Sequence, residues 1–220
     1  MLINKFTRPR WPLYRLRYAL FLALSLFCST LSAADFYWVG DSGNWSDFAN
    51  HWATTSGGST FWSQVPSSAD NVIFDANSFT TTGQTVYINV DAYCYDFRTT
   101  GISNSPTIQN SGPSQRLRVY GSMTLDPNMT WNYQRVVVFD AVALGNTITM
   151  SGHRFSQGCA FTGNGGWVLQ DPFWSDRYMN LISGDLNTNN QPLRLDYFVS
   201  ASTNVRNLDF TNSVLTMEGA

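Results

Sequence analysis

Lysine is almost missing from this chain. The single Lys, Lys5, lies within residues 1–34, as do Arg8, Arg10, Arg15 and Arg17. Residues 35–220 hold eight Arg against fourteen Asp and one Glu, a formal charge of −7, whereas the whole 220-residue chain shows only −2. Nucleic acid or an anionic membrane surface calls for a basic face, so this balance argues against either as a partner. Glutamate and long alanine runs are scarce as well, which removes the usual helix builders. Charged residues make up 13% of the chain and aromatics 15%, too sticky a mixture for a solvated coil. Cysteine is confined to Cys28, Cys94 and Cys159, and the last two stand 65 positions apart without a close Cys or His, so no zinc spacing exists. An oxidising compartment would permit one bridge between them; separate burial as small apolar side chains explains them equally.

What remains is Thr, Ser, Asn, Gly, Val, Ile and aromatic residues, a composition suited to pleated surfaces and tight corners, and it predicts an all-β protein. Residues 1–34 read as a secretory signal: five basic side chains, an apolar run over residues 18–31, and small Ser32, Ala33 and Ala34 before Asp35. The run falls short of the roughly 20 apolar residues a bilayer core requires, so no stable membrane span is expected once it is cleaved. Phe27 before Cys28 argues against a lipoprotein signal.

Residues 35–90 form a Trp-rich capping region in this reading. Trp38, Trp45 and Trp52 are spaced by seven, but Gly40, Gly43 and Gly57-Gly58 argue against a helix, so short strands with inward indoles are expected. Strands follow at residues 71–75 and 84–90. Over residues 91–220 a weak repeat emerges in which a Gly or Asn corner precedes a short strand, at residues 121–125, 145–150, 165–169, 184–186 and 207–210. Met123, Ile148, Val168, Leu186 and Leu208 occupy comparable positions, at spacings of 25, 20, 18 and 22. A period near twenty, built only of strands and polar corners, predicts a short right-handed parallel β-solenoid (β-helix), with a β-sandwich as the alternative. Asp-Gly corners, which a sandwich would use, are missing, and Asn-Gly occurs once, at Asn164-Gly165.

The segments Tyr37-Trp-Val-Gly-Asp-Ser-Gly-Asn-Trp-Ser-Asp47, Asn50-His-Trp52, Ala69-Asp-Asn-Val-Ile-Phe-Asp-Ala-Asn-Ser-Phe79 and Gly121-Ser-Met-Thr-Leu125 resemble the N-terminal region of large adhesin-like surface proteins of Gram-negative bacteria that use type IX secretion. Asn146-Thr-Ile-Thr149 and Gly184-Asp-Leu-Asn-Thr-Asn189 resemble the solenoid turns of the same proteins. The resemblance implies a secreted, cell-surface, non-catalytic module whose partners are extracellular glycans or other surface proteins. Such proteins continue into further repeats, Ig-like domains and a C-terminal sorting domain. The expectation here is therefore a truncated frame or fragment with an uncovered last rung.

Two other functions have candidate residues. A polysaccharide lyase or hydrolase needs convergent acids, for which Asp171, Asp176 and Asp185 are the best local candidates. Turn formation by Asp171 and a solvated Asp176–Arg177 pair is the simpler account, so no catalytic residue is expected. A glycan-binding module needs outward aromatics; Trp167, Trp174 and Tyr178 are the candidates, with Trp62 and Trp131 behind them. No cofactor is called for, calcium being the one ion with a resembling loop, at Asp41, Asn44 and Asp47, although the alternating acids and terminal Glu of an EF-hand are missing. Asp70, Asp75 and Asn77 read as turn residues. His51 and His153 lack any neighbouring nucleophile motif, and the Gly163-Asn-Gly-Gly166 stretch reads as a tight corner, not a phosphate cradle.

Overall fold

The structure, a computed structural model, describes residues 33–219. The expected signal segment, Cys28 included, lies outside the described residues except for Ala33 and Ala34. Among those described, no helix is long and apolar enough to cross a membrane.

The chain coils into a parallel β-solenoid. The first sheet stacks eight parallel strands, Asp35–Trp38, Asn71–Phe74, Phe97–Thr99, Met123–Thr124, Asn146–Thr149, Gly166–Leu169, Gly184–Asn187 and Arg206–Asp209, and so marks seven turns. The second sheet stacks Gly43–Asn44, Thr85–Ile88, Thr107–Asn110 and Thr130–Asn132. The third runs through Ala92–Cys94, Leu117–Val119, Val137–Phe139, Cys159–Phe161, Phe173–Leu181, Leu193–Val199 and Leu215–Met217. Each strand pairs with its counterpart one turn ahead, so side chains fall into columns. Val72, Phe97, Met123, Ile148 and Leu169 form one inward column; Cys94, Val119, Phe139, Phe161 and Leu181 form another. All ten are buried and belong to one continuous core. Among the described residues only Trp52–Ala53, at the N-terminal edge, forms an antiparallel ladder, against Asp35–Trp38, which excludes the β-sandwich.

The five segments read as rungs are successive strands of the first sheet. One position in the column is corrected. Ile148 pairs with Leu169 and Leu186 with Trp167, while Val168 pairs with Thr147 and Asn187 and is only half-buried. A slip of one residue exchanges the faces of a strand. It arose because the turn shortens here: an early coil runs from Val72 to Phe97, a later one only from Ile148 to Leu169, and the next only from Trp167 to Leu186.

The capping indoles are folded inward as expected. Trp52 packs edge-on against Trp38 at 5.0 Å and Trp45 at 4.8 Å, and all three are fully buried. One helical turn, Phe48–His51, corrects the helix-free reading of this segment. The glycines lie outside it, so they do not oppose it. Its His51 stacks on Trp38 at 4.5 Å and donates from Nδ1 to the Val39 carbonyl at 2.7 Å. A Cβ at Gly43 would collide with that imidazole, which gives the glycine a steric reason.

Polar corners latch each coil to a neighbour. Asp91 accepts from the Arg116 amide, Asp96 from Ser122, Asp126 from Ile102 and Asp171 from Met150, each reaching across about one turn of the chain. Asn104 and Asn189 take left-handed backbone and donate to the Phe79 and Leu169 carbonyls of the preceding coil. Each latch satisfies a backbone group that the corner has removed from the ladders.

The cross-section changes towards the C-terminal end. Phe173–Leu181 and Leu193–Val199 each run through a corner that loops separate in earlier coils, with a bulge between Ser175 and Tyr178.

Candidate functional site

The change of section leaves a step. Thr130–Asn132 pairs with Thr107–Asn110 on one side and ends the second sheet. In the next coil Arg154–Phe155 pairs forward with the first part of Phe173–Leu181 instead of back onto Thr130–Asn132. A half-open groove of about 430 Å³ lies at this step, between Trp131 and His153 on one side and Arg154, Trp174, Arg194 and Glu218 on the other.

Register fixes its outer wall. Arg154, Trp174 and Arg194 are direct partners on adjacent strands and point outward in one ladder, spaced by about 4.8 Å. Trp174 is 37% exposed, so part of its indole face is open to water beside the groove. Arg154 Nε lies 3.1 Å from Asp176 Oδ2, and Arg194 Nη2 lies 2.6 Å from Glu218 Oε2. Both pairs are exposed, so water screens them and they add little to stability. Their effect is to hold four planar polar groups around the indole at zero net charge.

The inner wall is better packed. Trp131 meets Phe97 edge-on at 5.8 Å and Phe155 at 6.2 Å, and its indole N–H is buried with no acceptor among the described residues. His153 follows left-handed Ser151 and Gly152, a turn that the Asp171 carboxylate holds by accepting from the Met150 and Ser151 amides. Its Nε2 donates to the Asp126 carbonyl at 2.9 Å, which fixes the imidazole at the groove.

The aromatic candidates separate clearly. Trp167 is corrected: at 1% exposure, against Phe139 and Phe161, it offers no face to a ligand, because it occupies an inward position of the Trp167–Leu186 column. Trp174 points outward beside the groove. Tyr178, on the same strand but beyond the bulge, is half-buried next to the exposed Tyr197 of the following strand. Trp62 stacks on Phe36 at 4.7 Å and donates to the Asp35 carbonyl, so it belongs to the cap.

The proposed calcium loop is corrected too. Asp41 accepts from the Thr80 amide at 2.6 Å and its hydroxyl at 2.7 Å, which holds its carboxyl below the usual range. Both oxygens of Asp47 accept from Asn50, and Asn44 is exposed on its short strand. The two carboxylates are thus held by different partners, Thr80 and Asn50. No cluster of three or more His, Cys, Asp or Glu suited to a metal occurs among the described residues. Asp70 and Asp75 close local turns with Ser67 and Asn77.

The acids with a catalytic reading do not converge. Asp171 latches a corner, Asp176 pairs with Arg154 on the third sheet, and Asp185 faces outward on the first sheet. Cys94 and Cys159 are free and buried, so the bridge that an oxidising compartment would permit is not formed. Cys159 stands in the column of Val137, Leu117 and Ala92, three strands along the sheet from the Cys94 strand, about 14 Å away and beyond disulfide reach. Burial pushes both thiols well up, so neither is a nucleophile.

The sequence reading missed His153, Arg154, Arg194 and Glu218. A signal existed: Arg154, Trp174 and Arg194 recur at spacings of 20, the turn length of this part of the coil. No protein-family model matches the chain, and no curated protein or solved structure matches it.

Proposed function

We propose that the chain is an exported, non-catalytic structural module of adhesin-like character, acting at the bacterial cell surface by presentation and contact. One observation carries the reading: Asp91, Asp96, Asp126 and Asp171 are each spent on a corner amide, and the two carboxylates at the groove, Asp176 and Glu218, are each paired with an arginine. The parallel stack adds an outer surface on a single continuous core, a design for display. The test has two arms. Protease treatment of intact cells should remove the protein, and retention inside untreated spheroplasts would refute export. Incubation with pectate and alginate should release no unsaturated or reducing ends; release by the native chain but not by a boiled sample would refute the non-catalytic reading.

A second reading, glycan binding, is favoured by one specific feature, the exposed indole of Trp174 beside a groove lined by both polar and apolar side chains.

A further inference from the structure

We infer that the groove beside Trp174 is a binding subsite for a neutral, hydroxyl-rich saccharide chain. The inference deepens the glycan-binding reading and rests on it. Shape comes first: about 430 Å³ lies within the span of small-molecule sites, and the groove follows the stacking direction of the Arg154, Trp174 and Arg194 ladder. The strand repeat of about 4.8 Å is close to the length of one pyranose unit, so a sugar chain laid along the stack meets a new outward side chain with each ring.

Chemistry narrows the class. The Trp174 indole offers a flat apolar face to the C–H face of a pyranose, while neighbouring groups remain hydrated and polar. Each guanidinium has five N–H donors, and the single close contact to Asp176 or Glu218 leaves most of them free. The carboxylates keep spare acceptor positions in the same way. Hydroxyls both donate and accept, so they suit a field in which donors and acceptors alternate. A sulfate or uronate would face Asp176 and Glu218, and a cation would face Arg154 and Arg194. The charge of −7 over residues 35–220 further disfavours a polyanion.

The experiment is calorimetric titration of the purified full chain with cellohexaose, laminarihexaose and mannohexaose, with oligogalacturonate as the anionic control. At least one neutral sugar should bind more tightly than oligogalacturonate. Trp174→Ala should weaken that binding about tenfold, Glu218→Gln should weaken it by a smaller factor, and Trp174→Phe should recover part of it. Circular dichroism checks the fold of each variant, and the Trp174 indole N–H resonance, which should shift on titration, gives the readout without any substitution. Binding unchanged in Trp174→Ala, with that resonance unmoved, would overturn this site while leaving the chain a glycan binder elsewhere. Preference for oligogalacturonate would overturn the neutral class. Failure of every neutral sugar would overturn the site and the glycan-binding reading together.

Discussion

In the first coils the interior is filled by rings: Trp38, Trp45, Trp52, Phe74 and Phe97 pack at centroid distances of 4.8 to 6.5 Å, and the long turns carry the chain from Val72 to Phe97 and then to Met123. In the last coils it is filled by Leu186, Leu193, Leu195 and Leu208, and the turns are shorter, from Trp167 to Leu186 and then to Leu208. Leu215 and Met217 at that end are still 37% and 48% exposed. Corners differ too, since the earlier coils use loops where the later ones bend a continuous strand. In a one-dimensional stack each coil is stabilised by its neighbours alone. Stability should therefore be graded along the axis, with the aromatic end firm and the aliphatic end soft.

The grading can be attacked first at its firm end. Trp52→Ala removes a fully buried indole that touches Trp38, Trp45, Phe36 and Phe74, and it deletes the donor to the Trp45 carbonyl at 2.8 Å. A loss of about 3–5 kcal/mol is expected in urea unfolding; a loss near zero would mean the cap is not the anchor. At the join between the two regions, Asp171→Ala strips the Met150 and Ser151 amides of their acceptor and should cost about 1–3 kcal/mol by the same assay. At the soft end, Leu215→Ala should cost less than about 1 kcal/mol, because the side chain is already partly in water. Hydrogen exchange should agree, with amides of Arg206–Asp209 opening well before those of Asn71–Phe74. Equal protection at both ends would break the comparison.

The smallest effect concerns pH. Thr80 hydrogen bonds hold Asp41 below its ordinary value of 3.8, so this carboxylate adds stability that is complete above that value and is lost as pH falls through the lower, folded value. Thr80→Val keeps the amide and removes the hydroxyl. The Asp41 carboxyl should titrate at higher pH by NMR, and the variant should be slightly less stable at neutral pH, a difference that should vanish as pH falls below the folded value.

Sequence pattern revealed the first sheet because its strands alternate inward and outward and begin at Gly or Asn corners, as in Asn146–Thr149 and Gly184–Asn187. The third sheet was hidden. Val137–Phe139 and Cys159–Phe161 are buried at every position and show no alternation to read. Phe173–Leu181 was masked by Asp176 and Arg177, which look like a solvated turn and in fact sit at the bulge. The groove demanded register as well as pattern. With the short turn of the later coils, Arg154, Trp174 and Arg194 fall into line; with the longer turn of the first coils they do not. Trp167 illustrates the same dependence, since a shift of one position decides whether an indole faces core or solvent.

The two-residue strand Trp52–Ala53 has a mechanical corollary. It lies reversed across Asp35–Trp38 and is itself covered by an isolated bridge from Ala53 to Phe61, so the first sheet offers almost no free backbone edge at this end. Arg206–Asp209 and Leu215–Met217 each have one strand neighbour among the described residues. Tension along the axis should therefore separate the leucine-lined later coils before the tryptophan-packed first ones.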